Sequence, residues 1–217
     1  MEGKKKDLKY LIIGHPRCGS AYAAKLLTGL GIPTCHEKEP KDMMGLSSWA
    51  FLIEHSDSDS IVPKYGMNGD GWRKKYSFKN KIAHIRNPFD AFPSIINENS
   101  VGWSLNIRKQ FIKKTLGKDI QGTPIEQAIL CYLYWNEMAI KKADVWFRIE
   151  HDQEKVKNYL LDCGETIPES ALIHKDKVNS KPKKKVAIDI SKYKQVNKEI
   201  IKDLQAFCET YGYNFII

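Results

Sequence analysis

Tyr10-Leu11-Ile12-Ile13 runs directly into Gly14-His15-Pro16-Arg17-Cys18-Gly19-Ser20-Ala21-Tyr22. An apolar β-type run, a turn carrying two glycines and then a helical pattern predict a strand, a loop and a helix whose first turn faces the loop. Such a helix start offers N–H groups without intrahelical partners and the positive end of the helix dipole, which together hold an anion, and glycine lets the backbone come close to it. Gly14 and Gly19 keep the G-x-x-x-x-G spacing of nucleoside-triphosphate loops, but Ser20 stands where those loops need lysine. The cation is Arg17, inside the loop.

A second segment sharpens this reading. Lys81-Ile82-Ala83-His84-Ile85 predicts a strand, and it is followed by Arg86-Asn87-Pro88-Phe89-Asp90-Ala91-Phe92-Pro93-Ser94. With both segments in view the chain resembles the sulfotransferases that use 3′-phosphoadenosine-5′-phosphosulfate (PAPS), in particular soluble bacterial- or phage-like members acting on carbohydrates or small molecules. Their first loop reads roughly P-[RK]-[ST]-G-[ST]-[ST] and their second R-[ND]-P-x-[DE]-x-x-x-S. Pro16 to Ala21 match the first, with Cys18 and Ala21 as departures; Arg86, Pro88, Asp90 and Ser94 match the second at the same spacing. Val145-Trp146-Phe147-Arg148-Ile149-Glu150-His151-Asp152 resembles the family's R-Y-E-D strand end, and Tyr211-Gly212-Tyr213 its closing G-Y.

The resemblance implies an α/β fold: a mostly parallel β-sheet flanked by helices in three layers, of the P-loop nucleotide-binding, sulfotransferase-like kind. It implies PAPS as sulfuryl donor and no metal. Pro16, Arg17, Cys18, Gly19, Ser20, Ala21 and Tyr22 would bind the 5′-phosphosulfate, with Arg17 on the bridge between phosphate and sulfate. Arg86 and Ser94 would bind the 3′-phosphate, the first through its fork of donors. Lys177-Val178-Asn179-Ser180-Lys181-Pro182-Lys183 resembles the basic loop that closes over the cofactor, so Asn179, Ser180, Lys181 and Lys183 are candidate contacts within a flexible lid at 175–185. His36-Glu37, followed by Ser48-Trp49, looks like the H-E…S-W pattern of bacterial members. Glu37 is the first candidate for the general base and His36 the second. Trp72, in a loop, is a candidate acceptor contact.

Composition fits this picture and narrows the alternatives. With 217 residues and 42% hydrophobic content, the chain suits one globular domain over 1–217, with a basic tail at 1–7. No apolar run is long enough for a membrane span or a signal peptide, so a cytoplasmic enzyme is expected. Cys18, Cys35, Cys131, Cys163 and Cys208 are scattered, without a C-x-x-C pair or histidines at zinc-ligand spacing, and read as reduced thiols. The formal charge of +9 suits a polyanionic small ligand, with a hydroxyl-bearing carbohydrate or metabolite as partner and no nucleic acid. A nucleic-acid-binding protein would explain the charge but neither loop. A P-loop kinase or NTPase is disfavoured by the lysine missing after Gly19.

Along the chain the periodicity predicts strands at Leu8–Ile13, Ile32–Cys35, Ile61–Tyr65, Lys81–Ile85 and Val145–Ile149. Helices are predicted over Ser20–Thr28, Ser47–Glu54, from Pro88, from Pro124 to about Ala143, over Gln153–Asp162 and over Tyr193–Tyr211. Gly66–Phe78 reads as loop. His84 is expected to be a strand residue packed within the sheet, and Asp90 a charge in a first helical turn.

Overall fold

The computed structural model describes residues 5–52, 75–171 and 190–217. They group into two compact units, one within Met1–Arg86 and Met138–Ser180, the other within Asn87–Glu137 and Lys181–Ile217.

The first unit contains a five-stranded sheet in the order β2-β3-β1-β4-β5, every neighbouring pair parallel. Its strands are β1 (Lys6–Gly14), β2 (Thr34–His36), β3 (Gly45–Ser47), β4 (Tyr76–Ile85) and β5 (Val145–Arg148). The fold is α/β. Strands of a parallel sheet covered on both faces read as continuous apolar runs rather than as alternations. Tyr10 to Gly14 and Ile82 to Ile85 are buried at every position, and these are the runs that were visible in the sequence. Helix α1 (Ser20–Gly29) packs Ala23, Leu26 and Leu27 into a cluster with Tyr10, Ile12, Ile82 and Phe147, completed by Val156 and Leu160 of the helix Gln153–Asp162.

The second unit is helical: α2 (Pro88–Asn99), α3 (Trp103–Leu116), α4 (Pro124–Lys142, entering from this unit) and, at the C-terminus after α5 (Gln153–Asp162), α6 (Lys198–Tyr211). Asn87 caps α2 by accepting from Phe89 N–H at 3.0 Å, and Pro88 and Asp90 occupy its first turn. Its core is aromatic, with Phe92 against Tyr132 at 5.5 Å and Tyr132 against Phe207 at 5.1 Å between ring centres. Glu126 joins two segments: its carboxylate accepts from Thr123 N–H at 2.7 Å and Asn197 N–H at 2.9 Å, and the Asn197 bond is the leading cause holding its pKa below the usual value.

Several boundaries differ from the sequence reading. Gly45–Ser47 is a strand where a helix was expected from Ser47, and the described part of that expected helix holds a 3₁₀ turn at Trp49–Leu52, its last two residues lying outside the described ones. A Cβ on Gly45 would come within 2.7 Å of Thr34 Oγ1 and 3.3 Å of Tyr10 Cβ, so glycine is what lets β3 lie between its two neighbours. β4 begins at Tyr76, not Lys81, because Lys6 to Leu8 hold Tyr76 to Phe78 in register. α3 has no counterpart in the reading; buried Arg108 interrupts its apolar stripe. The C-terminal helix starts at Lys198, behind the Asn197 cap and a 3₁₀ turn at Ile190–Gln195. The strand expected at Ile61–Tyr65 lies outside the described residues.

Candidate anion-binding site

β1 and β4 are neighbours whose chains leave in opposite directions, β1 toward the β2 edge and β4 away from it. In open α/β sheets ligands bind at the carboxyl ends of strands at such a divide. Gly14 and His84, the facing residues of the two strand ends, are in register there.

The loop from Gly14 to Ser20 is held from below and from both sides. Arg17 has φ 82° and Gly19 φ 99°, both left-handed, so the chain folds tightly before α1 begins at Ser20. Glycine is favoured at position 19 by its positive φ, and a Cβ there would also displace the tip of Ile149, 2.7 Å away. Beneath the loop His84 is fully buried, with Nδ1 3.2 Å from the Cys18 carbonyl oxygen. A carbonyl only accepts, so Nδ1 carries the proton and Nε2 is bare. Burial, the largest influence, brings the pKa of His84 down to about 4 and keeps the ring neutral. Cys18 is itself buried and meets His84 through its backbone.

On one side Arg86, at the end of β4, donates from Nη1 to the Arg17 carbonyl at 3.4 Å. Arg17 is exposed and Arg86 half-buried, so two guanidinium groups border one loop. On the other side Ser47 Oγ donates to the Ser20 carbonyl at 2.8 Å, and Ser20 Oγ lies 2.8 Å from His36 Nε2. Burial lowers the pKa of His36 below its usual value. Tyr22 is oriented by Gln153, whose Nε2 donates to its hydroxyl at 3.0 Å and to the Ile149 carbonyl at 2.8 Å.

Glu37 follows β2 with φ 50°. Its carboxylate accepts from Ser48 Oγ at 2.9 Å and from Trp49 N–H at 3.1 Å, so it caps the 3₁₀ turn. Ser48 and Trp49 thus fix the orientation of Glu37. Arg148, at the end of β5, clasps Asp152 in bidentate fashion at 2.8 and 3.0 Å. Burial raises the Asp152 pKa, and the Arg148 hydrogen bonds and charge outweigh that to leave it lowered.

Pro16, Arg17, Cys18, Gly19, Ser20, Ala21, Tyr22, Arg86, His36 and Glu37 are thus brought to one end of the sheet of the first unit. Ser94 lies on α2 in the second unit. Asn179, Ser180, Lys181, Lys183 and Trp72 fall outside the described residues. The sequence reading missed Ser47 as a support of the loop. Its signal was the run Leu46-Ser47-Ser48, too short to declare a strand. A cleft of about 580 Å³ opens beside α1 and β2, lined by Ala21, Lys25, Thr28, Thr34 and His36 among others.

Among the described residues no group of three or more His, Cys, Asp or Glu is disposed to hold a metal ion, and no helix is long and apolar enough to cross a membrane. No family model matches the chain, and no curated protein does. Among solved structures it is similar to a sulfotransferase from Alicyclobacillus acidocaldarius, with 12% identity over 96% of this chain and 97% of that one and a TM-score of 0.39. At that identity and TM-score the likeness bears on neither activity nor site.

Proposed function

We propose that the protein is a PAPS-dependent sulfotransferase acting on a hydroxyl of a carbohydrate or small metabolite. The observation that carries the reading is the junction of the two sequence signatures, Arg86 Nη1 donating to the Arg17 carbonyl, at the start of a helix whose loop favours glycine at two points. A ligand with phosphates at both ends of its ribose needs a glycine-tight anion loop and a second cation beside it, and both belong to this unit.

Bound PAPS supplies a sulfuryl group whose leaving group is a stable phosphate. Arg17 and the amides of Gly19, Ser20 and Ala21 would hold the donor's 5′-phosphate and neutralise the charge that its chemistry develops there. Arg86 takes the 3′-phosphate, and Ser94 is assigned to the same phosphate from the sequence pattern alone. Glu37 or, failing that, His36 would take the proton of an acceptor hydroxyl as its oxygen displaced adenosine 3′,5′-bisphosphate from the donor's sulfur. Glu37 is the first assignment because its carboxylate is fixed at the end of β2 by Ser48 and Trp49. His36, bonded to Ser20, stands nearest the loop hydroxyl.

Adenosine 3′,5′-bisphosphate should raise the melting temperature more than AMP or ATP with magnesium at equal concentration. Greater stabilisation by ATP with magnesium overturns the proposal in favour of an NTPase. Salt-sensitive binding of DNA or RNA without any response to the bisphosphate overturns it in favour of a nucleic-acid-binding protein.

A further inference from the structure

The cleft beside α1 reaches the anion loop through Ala21 and His36. His36 lines it and also contacts Ser20 Oγ at 2.8 Å. From that end the cleft follows α1 past Ala21 and Lys25 to Thr28 and Gly29, with Thr34 of the edge strand β2 across from them. Eight residues of helix correspond to about 12 Å, and a volume near 580 Å³ suits a ligand of two sugar rings.

The position of the cleft is set by strand order. β1 lies between β4, which carries Arg86, and the β3–β2 side, which carries His36. A donor reaching from the loop toward Arg86 leaves the β2 side open to the acceptor.

The lining is selective. Lys25 is exposed and forms no ion pair among the described residues, so it offers an uncompensated charge to the cleft. Thr28 Oγ1 spends its hydrogen on the Ala24 carbonyl at 2.9 Å, and Thr34 Oγ1 spends its own on the Ile32 carbonyl at 2.8 Å. Thr28 Oγ1 also accepts from Thr34 N–H at 3.2 Å, which leaves it one lone pair, and Thr34 Oγ1 keeps its acceptor capacity; such oxygens suit the O–H groups of a polyol. Lys25 follows Ala21 by one helical turn, about 6 Å along the axis.

We infer that the cleft between α1 and β2 is the acceptor site and selects a polyhydroxylated compound bearing an anionic group about one sugar ring from the reacting hydroxyl. The inference rests on the sulfotransferase reading. The test uses the full chain saturated with adenosine 3′,5′-bisphosphate and two probes, a glucuronic acid–N-acetylglucosamine disaccharide and its carboxyl-reduced counterpart, with binding followed by saturation-transfer NMR. The acidic probe should bind about tenfold more tightly, the scale of one charge-assisted contact. Lys25→Gln should abolish the difference and Lys25→Glu reverse it, while the thermal shift from the bisphosphate stays as in the wild type. Equal binding of both probes, no binding of either, or a preference for the acid that survives Lys25→Glu overturns the acceptor assignment. Absence of any bisphosphate response in the wild type instead sinks the sulfotransferase reading, whatever the disaccharides do.

Discussion

Gly14 lies directly against the ring of His84: a Cβ on Gly14 would stand 2.5 Å from His84 Cε1, 2.6 Å from Nε2 and 2.6 Å from the His84 carbonyl oxygen. The last of these is backbone in a central strand, so the clash cannot be relieved by a side-chain rotation. Gly14→Ala should therefore destabilise the protein by about 1–3 kcal/mol, the range for overpacking a filled interior. Urea unfolding with an unchanged m-value measures it. A variant as stable as the wild type would show that the loop and β4 are not in contact as described.

The same histidine predicts a pH dependence. Its pKa is about 4 in the folded protein against an ordinary 6.5, so between those values the unfolded chain binds more protons than the folded one. Stability is then fully present above about pH 6.5 and falls as pH drops toward 4, by ~3 kcal/mol for the full interval. The lowered pKa of His36 acts in the same direction. His84→Gln should be less stable at pH 7 and lose less than the wild type on acidification, measured as melting temperature against pH. Parallel curves for the two proteins would refute the assignment.

Arg86→Ala should weaken binding of adenosine 3′,5′-bisphosphate by about 1.5–3 kcal/mol, as expected for a charge-assisted hydrogen bond. Adenosine 5′-monophosphate should be affected far less. Equal losses for the two ligands by calorimetry would show that Arg86 does not hold the 3′-phosphate.

Glu37→Gln should leave bisphosphate affinity near the wild-type value and reduce turnover by ~10²–10⁴-fold, the range for loss of a general base. His36→Asn should be the milder change. Full activity in Glu37→Gln with an inactive His36→Asn would move the base to His36, and full activity in both would remove the β2 end from the chemistry.

The parts of the fold that were legible are those where burial leaves a continuous mark. Tyr10 to Gly14 and Ile82 to Ile85 are buried residue after residue and stood out as strands, and Gln153–Asp162 was bounded correctly because Gly164 and Asp152 flank a clear helical period. β3 was not legible, since three residues carry no period and its place depends on Gly45 fitting between Thr34 and Tyr10. The first half of β4 was hidden because Ser77 and Lys79 are polar and its pairing partner lies far away in sequence. Within the site, the loop and Arg86 could be read from local pattern, whereas the roles of His84 and Ser47 depend on contacts across strands. His84 was expected to be packed in the sheet and is; that its imidazole holds the loop through Cys18 is visible only in three dimensions.

Asp7 and Ser77 face each other in the central strand pair although 70 residues separate them. The two strands that support the anion loop therefore cannot associate as a nascent chain emerges until β4 has been synthesised. Contacts of such long range are paid for in chain entropy before they stabilise anything, which slows folding. During translation the apolar run from Tyr10 to Ile13 can meet α1 and β3 but stays without β4 for that whole interval. A ribosome pause placed before Ile85 should extend the period in which this segment is open to chaperones or to aggregation, and one placed after Arg148 should not.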